Sequence, residues 1–360
     1  MRLVVALPAV FSTDWGIAMF NRALLLALSE FCQQHGAEAS VLALNDATQQ
    51  LDRRYLTSPA VRFRGFERRK VSFSAAFLRE VLSPPDLVIL GHVNLLPLAL
   101  PLGLRSIPYW LIVHGDEAWV RLPALSRWAL RNTQTVLAAS EFTRRRLAAE
   151  NGLGDERWHV FPNTLDPFFQ RFSAEPMSRP TLLSVSRLKA AEREGKGVAH
   201  VLESLPGLHR RFPNLQYVIV GDGDDRAWLE QRSGQLGLGD AVVFTGHVTQ
   251  EELMRRYASC DVFVLPSNQE GFGIVFLEAM AYSKPAVAAR AGGAPEVVVD
   301  GETGLLVEHG NRAALVAALS ELLAHPERRQ QLGETGRRRL EENFTFDLFR
   351  QRLTRLLETR

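Results

Sequence analysis

Glu270 and Glu278 stand eight positions apart in "SNQEGFGIVFLEAMAYSKP" (267–285), around a Gly-Phe-Gly turn that leads into an apolar run. A helix starting near Gly273 would turn its positive end toward that turn. The small residues Gly271 and Gly273, flanking Phe272, let backbone N–H groups come close to an anion there. Glu278, about one and a half turns into the helix, is a pure acceptor, which suits a diol better than a phosphate. Glu270, ahead of the turn, could hold a second polyol. Two cations are placed to complement them in "SVSRLKAAEREGKGVAH" (184–200). Arg187, after a strand, offers a bidentate fork and Lys196, expected to open the next helix, a compact charge, together able to neutralise a diphosphate without a metal. Taken singly, the two glutamates, these cations and their neighbours Lys189 and Arg193 read more readily as solvated charges than as ligands. Their weight comes from where the chain must put them.

Short aliphatic or β-branched runs alternate with amphipathic stretches along the whole sequence, the pattern of βα units that build parallel sheets covered on both faces. Strands are expected at 2–7, 39–44, 86–91, 108–114, 135–139 and 157–161, then at 181–186, 216–221, 241–244, 261–265, 286–289 and 304–307. In the first half helices fall between them at about 17–35, 73–82, 121–131 and 141–150. "PNTLDPFFQRFSAEPMSRP" (162–180) has four prolines and no periodicity, and reads as a linker. The expectation is an α/β protein of two Rossmann-like, doubly wound domains, 1–170 and 171–344, facing each other across a cleft. A basic helix at 345–360, with an apolar stripe from Phe346 to Leu357, is expected to pack back on the first domain. Ligands bind such sheets beyond the carboxyl ends of the strands, where Arg187, Glu270 and His114 all fall.

The second half resembles the retaining glycosyltransferases of family 4, the group 1 enzymes of the GT-B fold. The resemblance is carried by "SVSRL", "EGKG", "VIVGDGDDRAWLE", "VVFTGHVTQEEL", "YASCDVFVLPSNQEGFGIVFLEAMAYSKPAVA" and "AGGAPEVVVDGETGLLV", in the family's order. In the first half it is looser, through "VHGDEAW", "AASEFTRRRL" and "VFPNTLDP". It implies transfer of a hexosyl unit from a UDP- or GDP-linked sugar, as co-substrate and with no further cofactor, to an acceptor hydroxyl with retention. The acceptor implied is a glycan or lipid-linked saccharide of cell-envelope or exopolysaccharide synthesis. Matched motif by motif, Glu278 would take the ribose hydroxyls, and Glu270 with the backbone of Gly271, Phe272, Gly273 and Ile274 the donor sugar and diphosphate. Arg187 and Lys196 would take the diphosphate, and His114 would lie beside the reacting sugar. The family's first strand-to-helix loop often carries adjacent glycines. Here "FSTDWGIAMFNRAL" offers Gly16 alone, preceded by Trp15.

Composition narrows the alternatives. Lys+Arg 42 against Asp+Glu 40 gives a net charge of +2, which argues against nucleic acid as a partner. Cys32 and Cys260 sit in apolar contexts without metal-ligand spacing, as buried thiols of a cytoplasmic protein do. "DLVILGHVNLLPLALPLGL" (86–104) is apolar, but His92, Asn94, Pro97 and Pro101 make it a buried strand and helix rather than a membrane span. Asp222 and Asp224 in "GDGDD" imitate a metal-binding Asp-x-Asp, and no metal is expected there. The basic, phenylalanine-bearing segment 61–82 could rest on an anionic leaflet, which would make the protein peripheral on the cytoplasmic face. A solvated loop is the plainer expectation for it. Two other functions fit a nucleotide-sugar site: a sugar-nucleotide epimerase, which would need acid and base carboxylates across the cleft, and a non-catalytic sugar-nucleotide-binding subunit.

Overall fold

A computed structural model describes residues 1–13, 16–154, 158–175 and 177–360. Contacts divide the chain into two compact units, Met1–Pro167 with Phe344–Arg360, and Phe168–Asn343.

The first unit is built on a seven-stranded sheet. Its strands are β1 (Arg2–Leu7), β2 (Glu38–Ala43), β3 (Val61–Gly65), β4 (Leu87–Leu90), β5 (Tyr109–Val113), β6 (Thr135–Ala138) and β7 (Trp158–Val160), in the order β3-β2-β1-β4-β5-β6-β7. Every ladder is parallel; β1 meets β2 from Arg2 opposite Glu38 to Leu7 opposite Ala43. Central strands such as "LVIL" and "YWLIV" are buried on both faces, which is why their sequences run continuously apolar. β3 instead alternates Val61-Arg62-Phe63-Arg64, the signature of a half-buried edge strand. The segment 61–82 is thus this edge strand followed by the helix Lys70–Leu82, not a solvated loop.

One face of the sheet is covered by the helix Gly16–His35, whose Phe20 packs edge-on to Phe161 at 6.0 Å and Phe349 at 5.3 Å. Phe349 belongs to the helix Phe346–Glu358, which is capped by the Thr345 hydroxyl and buries Phe349, Leu353 and Leu357 in the same core. Residues 162–166, expected as linker, are packed into this unit. Asp166 is buried and accepts a hydrogen bond from the Tyr55 hydroxyl at 2.6 Å, and the Thr164 hydroxyl donates to the Phe344 carbonyl at 2.8 Å.

The second unit repeats the plan with six strands: β8 (Thr181–Val185), β9 (Gln216–Val220), β10 (Val242–Gly246), β11 (Val262–Leu265), β12 (Ala286–Ala289) and β13 (Gly304–Val307), ordered β10-β9-β8-β11-β12-β13. In both sheets the chain winds outward from the first strand, then crosses over and winds the other way. The reversals lie between β1 and β4, and between β8 and β11. Such a reversal leaves a crevice at the strands' carboxyl ends, so the loops after β1, β4, β8 and β11 are the ones positioned to bind. Both cysteines are buried free thiols, and burial pushes Cys32 up to about 11 and Cys260 up to about 12. Among the described residues, no helix is long and apolar enough to cross a membrane.

Candidate active site

In the second unit the loop Pro266–Gly273 leaves β11, and three other segments hold it by its backbone. Asn268 donates its N–H to the Gly195 carbonyl at 2.9 Å, and Gly293 donates to the Glu270 carbonyl at 2.7 Å. His309 Nδ1 lies 2.8 Å from the Pro266 carbonyl oxygen. The fit leaves no room for side chains: a Cβ on Gly293 would stand 2.3 Å from the Gly271 carbonyl oxygen. The "AGG" motif is therefore the wall against which the 270–272 backbone is pressed. At the end of the loop Gly273 adopts φ +92°, a left-handed conformation that glycine takes without strain, and the helix Ile274–Ala281 begins at once. Gly271 is half-buried, whereas Phe272, Gly273 and Ile274 are buried.

Lys196 and Glu270, seventy-four positions apart, meet here: Lys196 Nζ lies 2.7 Å from Glu270 Oε1, and each side chain is only 14% exposed. Lys196 does not open the following helix. It closes the single turn Arg193–Lys196, and Gly197, at φ +76°, joins that turn to the helix Val198–His209. Arg187, immediately beyond the β8 edge of the crevice, is 3.2 Å from Glu192, which also attracts Lys189 at 3.7 Å. Arg193 is used differently. Its Nε donates to the buried Asp225 at 2.7 Å and its guanidinium stacks on Trp228 at 3.9 Å, which makes it a strut of the loop. Asp224 accepts the Ala190 N–H at 2.8 Å, and a Cβ on Gly221 would collide with the Ser186 carbonyl oxygen. The "GDGDD" string thus packs and ties down the loop that carries Arg187.

Glu278 is 3% exposed and accepts a hydrogen bond from the Tyr257 hydroxyl at 2.7 Å. Burial, reinforced by the Glu278 charge, keeps Tyr257 protonated well above the ordinary tyrosine range. A permanent donor therefore fixes this carboxylate. Sequence reasoning left Tyr257 unassigned, although it lies within the quoted motif "YASCDVFVLP".

In the first unit His114 follows β5 directly. Its Nε2 lies 3.0 Å from the Gly91 carbonyl oxygen at the end of β4, and its backbone N–H donates to Glu117 at 2.6 Å. Its ring meets Phe20 edge-on at 5.0 Å, and its buried Nδ1 has no hydrogen-bond partner among the described residues. Burial lowers the His114 pKa, against the pull of Glu117, so the ring is held neutral. His92, whose ring centroid is 6.3 Å away, is also lowered by burial and accepts the Asn94 N–H through Nδ1. A second histidine thus shares the strand ends with His114; its signal was "LGHVN" after an apolar run.

Gly16 is the exposed first residue of the helix Gly16–His35, while Asp14 and Trp15 lie outside the described residues. The loop before it is pinned by Asp46, whose fully buried carboxylate accepts the backbone N–H groups of Val10 at 2.9 Å, Phe11, and Ser12 at 2.9 Å. Arg22 donates to the Val10 and Thr13 carbonyls. Nothing in "LNDATQQ" distinguishes Asp46 from an ordinary turn residue.

Residues 166–339 match the sequence model of the family described as "Glycosyl transferases group 1", and residues 23–168 match that of "Glycosyltransferase Family 4". The GDP-mannose-dependent alpha-(1-6)-phosphatidylinositol monomannoside mannosyltransferase of Mycolicibacterium smegmatis is 33% identical over 314 residues, covering 79% of this chain and 80% of the relative. The chain belongs to the group 1 glycosyltransferases of family 4. Solved structures agree with the GT-B architecture of this glycosyltransferase. Anabaena HepE in complex with UDP-glucose superposes with a TM-score of 0.80 over 100% of both chains, at 20% identity. Sucrose-phosphate synthase from Thermosynechococcus elongatus gives 0.76 over 99% of this chain and 98% of that one, at 21% identity.

Proposed function

We propose that this glycosyltransferase moves a hexosyl unit from a nucleoside-diphosphate sugar to an acceptor hydroxyl with retention at the anomeric carbon. The observation that carries the reading is the Lys196–Glu270 contact beside the start of the helix Ile274–Ala281. It puts a cation for a diphosphate and an acceptor for sugar hydroxyls next to a helix N-terminus, at the carboxyl end of β11. In this reading Arg187 and Lys196 bind the diphosphate. Glu270 and the backbone of Gly271, Phe272, Gly273 and Ile274 hold the sugar, and Glu278 takes the ribose. Gly16 and His114 supply donor contacts from the first unit, with the neutral His114 ring beside the reacting sugar.

Negative charge builds on the leaving diphosphate as the glycosidic bond breaks, so its cationic partners bind the transition state more tightly than the ground state. The acceptor oxygen forms its new bond on the face the leaving group vacates, and its proton passes to a phosphate oxygen of that leaving group. Metal independence is part of the proposal, because Arg187, Lys196 and the helix end carry that charge. The mannosyltransferase relative makes GDP-mannose the first donor to test, ahead of UDP-linked sugars, and the phosphatidylinositol monomannoside in its name supports a lipid-linked saccharide as the acceptor class.

The test is a thermal-shift and calorimetric screen against GDP, UDP, ADP and their sugars, followed by NMR of the product's anomeric proton with EDTA present. One nucleotide should raise the melting temperature by mass action. Lys196→Ala and Glu278→Ala should both weaken that shift. Unchanged binding in both variants would sink the donor-site assignment, an inverted product would sink retention, and activity lost in EDTA would sink metal independence. Nucleotide binding without transfer to any acceptor would favour a binding subunit instead.

A further inference from the structure

A pocket of about 450 Å³ opens on the flank of the first unit, between β2, β3 and the helix Lys70–Leu82, lined in part by Ser40, Thr48, Arg62, Arg64, Arg79 and Glu80. Strand alternation puts its charges there. Val61 and Phe63 enter the core on one face of edge strand β3, so Arg62 and Arg64 project from the other. On that face the helix Lys70–Leu82 buries Phe73, Phe77 and Val81 and brings Arg79 alongside.

Among the described residues, no carboxylate neutralises these arginines. Arg62 donates to the Ser40 hydroxyl at 3.3 Å and Arg64 lies over the Phe66 ring at 4.9 Å. Among the described residues none of the three forms an ion pair. Glu80, the lining carboxylate, is held by Arg2 at 2.6 Å. Charges on an edge strand deter edge-to-edge pairing, and exposure alone suffices for that. Such a guard does not need guanidinium groups from two elements to line one concavity with two hydroxyls.

We propose that this pocket binds a phosphate-bearing ligand, with Arg62, Arg64 and Arg79 supplying the charge and the Ser40 hydroxyl a further contact. Guanidinium forks match phosphate oxygens, and a doubly charged oxyanion suits three unpaired cations better than a single carboxylate does. The volume suits a phosphorylated small molecule or a lipid headgroup. The pocket runs along the flank of β2 and β3 as far as Thr48, beyond the carboxyl end of β2, and none of its lining residues is among those assigned to the donor. Leu78 and Leu82, 47% and 66% exposed on the same helix as Arg79, would meet acyl chains if the phosphate belongs to a lipid.

The experiment uses the full chain in phosphate-free buffer. Calorimetry with inorganic phosphate and glycerol 3-phosphate tests the soluble source. Sedimentation with phosphatidylcholine vesicles, with and without phosphatidylinositol, tests the lipid source. Saturable binding in either arm is expected. It should weaken about tenfold in R64Q and further in R62Q/R64Q/R79Q, since each charge-assisted bond lost is worth roughly a factor of ten or more. GDP and UDP binding should stay as in the parent, which separates this site from the donor site. Binding of the soluble esters identifies a free ligand, and binding confined to phosphatidylinositol vesicles identifies a headgroup. If the triple variant misfolds, R64Q, which removes one exposed side chain, carries the comparison. Absence of binding to every probe, or binding undiminished in the arginine variants, would overturn the proposal.

Discussion

Replacing Glu270 by glutamine should tighten the binding of a bare nucleoside diphosphate and weaken the binding of the corresponding sugar donor. In the structure Lys196 Nζ is held 2.7 Å from Glu270 Oε1, with both side chains 14% exposed. A diphosphate must therefore compete with Glu270 for that ammonium. A charge-assisted hydrogen bond contributes about 1.5–3 kcal/mol. Lys196→Ala should thus cost about tenfold or more in nucleoside diphosphate affinity, since 1.4 kcal/mol is tenfold. Glu270→Gln keeps the shape but removes the competing charge, and about 1 kcal/mol recovered at Lys196 makes binding roughly fivefold tighter. The sugar donor should lose affinity in the same variant, because glutamine is a poorer acceptor for hydroxyls than a carboxylate. The decisive measurement is calorimetry on the double-mutant cycle. In the Lys196→Ala background the gain from Glu270→Gln should shrink to about twofold or less, giving a coupling above the ~0.5 kcal/mol at which independent sites add. If Glu270→Gln tightens nucleoside diphosphate binding equally with and without Lys196, the two residues do not exchange partners and the reasoning fails.

Asp46→Ala strips the acceptor from one buried and two partly buried backbone amides, and an unsatisfied buried donor costs about 1–3 kcal/mol. We expect about 2 kcal/mol of lost stability by urea denaturation; a loss below ~1 kcal/mol would show that water replaces the carboxylate. For His114 burial depresses the folded-state pKa below the ordinary 6.5, so as pH falls through that value the unfolded chain takes up a proton that the folded chain refuses. Its contribution to stability is complete above the unfolded pKa and declines as pH falls toward the folded one. His114→Gln should therefore flatten the drop in melting temperature between pH 7.5 and pH 5.5, the residual slope belonging to His92 and other groups; parallel curves for variant and parent would contradict this.

What the sequence made legible follows the physics of each segment. Strands buried on both faces advertise themselves as unbroken apolar runs, so "LVIL" and "YWLIV" were readable, and their alternation with helices implied two doubly wound sheets. The turn at Gly273 was readable because a glycine ahead of an apolar helix has few other uses. β3 was not, since Val-Arg-Phe-Arg is half charge and an edge strand has only one face to bury. The prolines of 162–167 suggested a tether, and it takes the Tyr55–Asp166 and Thr164–Phe344 hydrogen bonds to show that this stretch is anchored. Partnerships were hidden for a different reason. Lys196 and Glu270 were each picked out as ligands, but nothing local says that two distant residues neutralise one another. Asp46 and Tyr257 act by holding other groups, and a residue whose work is to hold has no composition of its own.

The helix Phe346–Glu358 also bears on how the protein is made. Arg350 pairs with Glu30, 320 positions upstream, at 3.1 Å, and Phe349 stands against Phe20 and Phe161. A ribosome must finish the whole of Phe168–Asn343 before it can deliver these side chains, so the unit translated first is the last to have its core completed. During that interval Phe20 and its neighbours lack their cover, and the nascent first unit is the stage at which a chaperone or an aggregation partner would find apolar surface.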